Sequence, residues 1–283
     1  VTRLGDITDL DASSAEADLL EDNYRIFEAD VGSGNLILTG LILTGGRPGD
    51  AFQGAGDGGA VSAGAFNVLV RNSVLAGNTT GQGPDGLDAL SGGAISTEAA
   101  VELVNSILTD NQATGQGGAV SAKTRIVVTN STITGNFAGL NGGGLSVFEE
   151  GDIEPRDSII LGNVAGTNLN NDITSNRDPE GVNDSLPTVD PGFADSIDNP
   201  DFRFSGNNIV GANTASSFNP GGSEFVRNAD PADVFAETQD TSSNVRSGVL
   251  SRNAEGRLVV ALNSSETNPA LDASTADFAT DIT

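Results

Sequence analysis

The chain has no cysteine, histidine, methionine or tryptophan, and a single tyrosine, in 283 residues. Each absence excludes something. Without Cys there is no disulfide, no thiolate nucleophile and no thiolate metal site. Without His there is no imidazole general base, no Ser-His-Asp triad and no histidine-held zinc. Cations are scarce: 13 Lys and Arg, of which Lys123 is the one lysine, stand against 39 Asp and Glu, for a net charge of −26. A protein that tracks nucleic-acid phosphates is thereby excluded. Long apolar runs are missing too. The longest, Leu36 to Leu43, is broken by Thr39 and Gly40 and falls short of the ~20 residues a membrane-spanning helix needs. No secretion signal is visible and the chain begins at Val1, so targeting information is expected to lie outside these residues.

Glycine is abundant, at 37 residues. That abundance means either disorder or a turn every few residues, and regularly spaced Val, Ile and Leu argue for turns. Five eleven-residue blocks align without gaps: Leu36 to Gly46, Val68 to Asn78, Val101 to Asn111, Ile126 to Asn136 and Ile153 to Asn163, their starts 32, 33, 25 and 27 residues apart. A degenerate sixth ends at Asn213. Between them runs a second motif, Gly58-Gly59-Ala60-Val61-Ser62, with copies at Gly92 to Ser96, Gly117 to Ser121 and Gly142 to Ser146.

The columns carry their own physics. Positions one and three are aliphatic (Val101 and Leu103, Ile126 and Val128), whereas two and four admit Glu102, Glu154, Arg71 and Arg156. That alternation predicts a strand with one buried and one wet face. Position eight is always large and aliphatic: Leu43, Leu75, Leu108, Ile133 and Ile160. Breaks fall at Asn72, Asn105, Asn130 and Asp157, and sharper ones at Asn78, Asn111, Asn136 and Asn163, since Asn tolerates the left-handed conformation a corner needs. Short strands at a period near 25 residues, with no room for a crossover helix, fit one turn of a solenoid better than a propeller blade of ~40–45 residues or a helical repeat of ~34. The expected fold is all-β, a right-handed parallel β-helix in which aliphatic side chains, and Asn side chains, form ladders from one turn to the next.

Three regions are expected. Residues 1–23 form an N-terminal cap or assembly segment with a short candidate helix at 13–20; such a cap covers the apolar face of a terminal repeat. Residues 24–213 form the β-helix, starting with a strand at 24–27 and carrying an Asn-, Asp- and Pro-rich insertion at about 164–202. Residues 214–283 hold a further strand at 257–262 in an irregular C-terminal extension that completes or caps the far end.

The Gly-Gly-Ala-Ile/Val-Ser motif paired with Asn-Ser-x-Ile/Leu-x-x-Asn resembles the repeats of bacterial surface β-helix proteins, among them the polymorphic outer-membrane protein family. Where that family has an aromatic in its second motif, Leu75, Leu108, Ile133 and Ile160 stand here. The tail Asn268-Pro269-Ala270-Leu271-Asp272-Ala273 is similar to the closing signature of choice-of-anchor surface domains. The resemblance covers residues 24–213 well and the tail loosely. It implies an extracellular or surface-attached protein serving attachment or an envelope layer, and no particular ligand.

Catalysis finds little to stand on. β-Helical polysaccharide lyases and hydrolases need clustered Asp with Arg, Lys or His. Here Glu102, Glu154, Arg71, Arg125 and Arg156 look like isolated charges on a wet face, and Asp110 and Asp157 replace Gly or Asn at corners. The Gly-rich stretch Gly81 to Gly86 lacks the Lys and the following helix of a phosphate cradle. Sequons occur at Asn78, Asn130, Asn183 and Asn263; two of them, Asn78 and Asn130, are corner positions the fold explains, which makes the set weak evidence of glycosylation. The expected function is therefore a non-enzymatic structural or adhesive cell-surface module that assembles with identical subunits or neighbouring domains into a filament or layer. The alternative is a β-helix that binds surface glycans or cleaves polysaccharide. A Ca²⁺ dependence is also expected, because 39 carboxylates repel one another and Ca²⁺ takes six to eight oxygen ligands. The candidate ligands are Asp50 and Asp57 in one lengthened loop and Asp85 and Asp88 in the next.

Overall fold

A computed structural model of the chain describes residues 10–11, 25–29, 32–48, 56–81, 89–148, 151–166, 172–176, 203–211, 226–227, 229–241, 245–265 and 267–272. The candidate helix at 13–20 and most of the 164–202 insertion lie outside the described residues. Almost all regular structure is β, in parallel strands stacked into sheets. Eight strands form one sheet: Leu10–Asp11, Ile42–Thr44, Val74–Ala76, Ile107–Thr109, Thr132–Thr134, Ile159–Ile160, Asn208–Val210 and Val226–Arg227. Six form a second, from Phe27–Glu28 to Ile173–Asn176, and five a third, from Ser33–Thr39 through Ala65–Arg71, Ala100–Val104 and Arg125–Thr129 to Asp152–Arg156. A three-stranded sheet of Gln112–Ala113, Phe137–Ala138 and Val164–Ala165 completes the parallel part. Between residues 27 and 160 the chain passes from the six- to the five- to the eight-stranded sheet, in that order, in every repeat.

The repeats predicted from the blocks are the register of the sheets. Val101 pairs with Val68 and Ile126, and Ile126 with Ile153. Leu43, Leu75, Leu108, Ile133, Ile160 and Val210 follow one another in the eight-stranded sheet, all fully buried in one hydrophobic core. The Val61, Ile95, Val120, Leu145 and Ile173 row of the six-stranded sheet faces the same core. Burying one such side chain stabilises the fold by ~1.5–3 kcal/mol, and each rung also walls in the next.

Corners follow backbone sterics, with one displacement. Asn72, Asn105, Asn130 and Asp157 adopt positive φ of 47–48°, as expected of a left-handed corner. At the sharper corner the left-handed residue is one earlier than expected: Gly77 (66°), Asp110 (55°), Gly135 (70°) and Gly162 (78°). The following Asn instead turns inward. Asn78, Asn111, Asn136 and Asn163 are buried, and each Nδ2 donates to the Oδ1 of the next, at 2.9, 2.9 and 2.8 Å. Each also donates back to a carbonyl of the preceding repeat, such as Leu75 and Leu108. Parallel to it runs a hydroxyl ladder, Ser73, Ser106, Ser131 and Ser158, each Oγ accepting the backbone N–H one repeat earlier. In the Gly-Gly-Ala row the second glycine is a matter of space: a Cβ on Gly118 would overlap the Gly143 carbonyl and lie 2.6 Å from Phe137 backbone atoms.

The two ends depart from the expected outline. Leu10–Asp11 already pairs with Leu43–Thr44, so a strand precedes the one expected at 24–27, which is Phe27–Glu28. Towards the C-terminus, a one-turn helix α1 (Pro231–Val234) is capped by Asp230, whose Oδ1 accepts from the Ala232 N–H at 2.9 Å. Two antiparallel pairs follow, Thr238–Asp240 with Arg246–Gly248 and Leu250–Arg252 with Leu258–Val260, the latter holding the strand expected at 257–262. The segment lies against the other face of the eight-stranded sheet: Val234, Phe235 and Ala270 form a second core with Ile159, Leu161 and Ile209. The Gly248 N–H donates to Thr134 Oγ1 at 3.0 Å. The Asn-Pro-Ala-Leu signature is a clasp. Asn268 is buried, its Nδ2 donates to the Val234 carbonyl, and its Oδ1 accepts from the Ala270 N–H at the start of α2 (Pro269–Asp272). No helix among the described residues is long and apolar enough to cross a membrane.

Candidate functional site

The outer face of the five-stranded sheet is the broad face that the C-terminal segment leaves open. Alternation sends Val101, Leu103, Ile126 and Val128 inward and leaves the intervening positions outside. One outward column is Ile37, Leu69, Glu102, Val127 and Glu154; its neighbour is Asn35, Asn67, Ala100, Arg125 and Asp152. All of these but Glu154 and Asp152 line a groove of about 340 Å³ that crosses the strands from Asn35 to Arg125. Ile37, on its floor, is 61% exposed. The Asn67 Nδ2 donates to Asn35 Oδ1 at 3.2 Å, a two-rung amide ladder in the open.

At the Arg125 end the face changes character. Glu154 has a side chain only 6% exposed, and three arginines gather over it: Arg125 Nη2 at 2.6 Å and Arg156 Nη2 at 3.1 Å on Oε2, and Arg203 Nη1 at 3.9 Å from Oε1. Arg203 also meets Asp152 at 3.3 Å. Burial pushes the Glu154 carboxyl up, but the Arg125 and Arg156 guanidiniums outweigh it and hold the carboxyl below its usual value. Arg125 is correspondingly raised, chiefly by its hydrogen bond to Glu154. The expectation of isolated charges is thus corrected: Arg125, Glu154 and Arg156 form one cluster, because the register sets Arg125 opposite Asp152, diagonal to Glu154, with Arg156 two residues along Glu154's own strand.

Arg203 was hidden from the alignment. Read without gaps, the sixth block places Arg203 at an inward aliphatic position. An extra residue in the turn at Gly206 and Asn207 shifts the register, so that Ser205 faces Arg156 while Ile209 faces Ile159. A one-residue slip exchanges the faces: Phe204 packs on the core and Arg203 points out.

Of the four expected calcium ligands, Asp50, Asp85 and Asp88 lie outside the described residues. Asp57 is described, and one of its oxygens accepts the Ser91 N–H at 2.5 Å, while its backbone carbonyl takes Arg25 Nη2 at 2.8 Å. Burial raises its carboxyl above the usual range, against the opposing Ser91 and Arg25. A cation there would compete with an amide already seated. Among the described residues no group of three or more acidic side chains is placed to hold a metal ion. Asp110 and Asp157 keep the corner role expected of them; Asp110 Oδ1 in addition accepts from Gln239 of the C-terminal segment at 2.9 Å.

One buried acid had no sequence signal. Asp172 closes the Asn ladder: its Oδ1 accepts both the Asn163 N–H at 2.8 Å and the Asn163 Nδ2 at 2.7 Å. The block alignment assigns that rung to Asn213, which lies outside the described residues. Burial drives the Asp172 carboxyl up to about 7, against hydrogen bonds from Asn163 and the Gly211 N–H.

The chain matches no protein-family model, no curated protein and no solved structure.

Proposed function

We propose that this chain is a non-enzymatic structural or adhesive module of a cell surface, its parallel sheets closing into a right-handed β-helix that assembles with copies of itself or with neighbouring domains. The observation that carries this reading is the uninterrupted stacking of like on like: Leu75, Leu108, Ile133 and Ile160 in the core, and Asn78, Asn111, Asn136 and Asn163 beside them. Along these two ladders every rung repeats the chemistry of its neighbours, a regularity that suits a stiff axis more than a single reactive rung. The acidic surface, −26 overall, keeps such a rod soluble. The likeness of the Gly-Gly-Ala and Asn-Ser motifs, and of the Asn268 clasp, to bacterial surface β-helix proteins supports an extracellular location.

Electron microscopy of the native material tests the reading. Rods joined into filaments or a lattice are expected; isolated particles at all concentrations overturn assembly. Incubation with a panel of acidic and neutral polysaccharides, assayed for new reducing or unsaturated ends, is expected to be blank, and turnover overturns the non-enzymatic part. The calcium dependence expected with this reading is checked by calorimetry in excess EDTA, where an unchanged melting temperature and unchanged assembly remove calcium.

A further inference from the structure

The geometry points to the outer face of the five-stranded sheet as a binding surface for an acidic polysaccharide, the sugar chain lying along the groove and its anionic groups on the Arg125, Arg156 and Arg203 cluster. Two independent features meet at Arg125, which lines the groove and caps Glu154. The first is charge. In a chain with 13 cationic groups, three arginines converge on Glu154 and Asp152, with Glu102 the third carboxylate acting on Arg125. The cluster is balanced in charge, but Glu154 and Asp152 lie deeper than the guanidiniums over them. The arginines are 46%, 49% and 58% exposed at the side chain, while Glu154 is 6% exposed. A buried carboxylate thus holds a fan of guanidiniums whose outer N–H groups face water, a geometry suited to carboxylate or sulfate.

The second feature is the groove. Its floor of Ile37, Leu69 and Val127 offers apolar contact, and its walls of Asn35, Asn67 and Glu102 offer amide and carboxylate groups. Sugar rings present both an apolar C–H face and a rim of hydroxyls, which such a surface matches. Direction selects against a peptide. The groove crosses the strands, which repeat every ~4.8 Å, whereas an extended peptide advances ~3.3 Å per residue and falls out of step within two strands. A hexopyranose unit spans about one strand spacing and stays in step.

The rest of the molecule repels a polyanion, so the contact is local and moderate in strength. At 0.15 M salt the Debye length is ~8 Å, which screens distant carboxylates while leaving the paired cluster effective. This surface is separate from the assembly reading and is measured on monomeric protein at low concentration, so that either can fail alone.

The test is titration calorimetry or affinity electrophoresis in 0.15 M salt with polygalacturonate, dextran sulfate, neutral dextran and polyglutamate. Saturable binding of polygalacturonate is expected, with dextran sulfate weaker or equal and dextran and polyglutamate without measurable affinity. Arg203→Ala, at a side chain 3.9 Å from Glu154 and 58% exposed, should lower affinity at least tenfold, with unchanged melting temperature as the control for folding. Arg125→Lys, which keeps a cation over Glu154 while losing the guanidinium fork, should lower it as well. Asn67→Ala, remote from the arginines, should weaken polygalacturonate more than dextran sulfate. The proposal is overturned if no acidic glycan binds, if neutral dextran or polyglutamate binds as well, if folded arginine variants bind like the parent, or if the face proves to pair with a second copy.

Discussion

The eight-stranded and five-stranded sheets are built by the same blocks yet meet different surroundings. In the five-stranded sheet buried and open residues alternate, as in Arg125, Ile126, Val127 and Val128. In the eight-stranded sheet Thr132, Ile133 and Thr134 are all buried, and the C-terminal segment meets the far side of the sheet at Thr134, Ile159 and Ile209. Ile159 and Ile160 make the point in two residues: adjacent in sequence, they belong to opposite cores. A parallel strand covered on both faces tolerates a continuous apolar run, whereas one with a wet face must alternate. The difference tells which sheet is scaffold and which is free to meet a partner.

The comparison breaks most severely at Leu108, which belongs to the core shared by both sheets. Leu108→Ala is expected to cost ~2–5 kcal/mol, and Leu108→Asp to unfold the repeat; a denaturant midpoint unchanged by Leu108→Asp would refute the ladder. Next comes the covering segment. Phe235→Ala, in the second core, should cost ~3–5 kcal/mol and speed amide exchange in residues 229–265 while sparing the five-stranded sheet. Exchange rising equally in both sheets would mean they are one cooperative unit.

pH acts on the same comparison with a smaller effect. Asp57, Asp110 and Asp172 are raised above the ordinary carboxylate value, Asp172 to about 7. A raised folded pKa means the native state binds the proton more tightly than the unfolded chain. Its contribution is complete below the unfolded value of 3.8 and is lost as pH rises through about 7. Glu154 runs the other way: its lowered pKa stabilises above its unfolded value and fades as pH falls through the folded one. The melting temperature should therefore climb between pH 8 and pH 5, and Asp172→Asn should flatten that slope. A slope untouched by Asp172→Asn would place its origin elsewhere. The smallest effect is expected on the open face, where Ile37→Asn should change stability by less than ~0.5 kcal/mol, measured by urea titration.

Much of this was legible in sequence, and the failures have physical causes. The core ladder, the strand alternation and the left-handed Asn72, Asn105, Asn130 and Asp157 follow from columns of like residues. Coverage of the eight-stranded sheet did not, because Thr132 and Thr134 flank Ile133 like the wet face of an amphipathic strand, and burial by a distant segment leaves no local mark. Arg203 was concealed by the one extra residue at the Gly206 turn. Asp172 comes from the irregular insertion, so no repeat announces it; three-dimensional register alone brings it under Asn163. The charge cluster of the candidate site illustrates the same limit, since Arg125 and Glu154 stand 29 residues apart and meet only as stacked strands.

The amide ladder also has a direction. Each Asn gives its Nδ2 hydrogen to the rung on its C-terminal side, from Asn78 through Asn163, and at Asp172 the accepting group changes from an amide to a carboxyl. A duplicated repeat inserted between Asn136 and Asn163, for instance, would pass the hydrogen-bond relay along unbroken, since each new Asn brings both an Nδ2 to donate and an Oδ1 to accept. The ladder can therefore be lengthened at its Asn rungs without changing its chemistry, whereas at Asp172 the rung becomes a carboxyl whose proton comes and goes near pH 7.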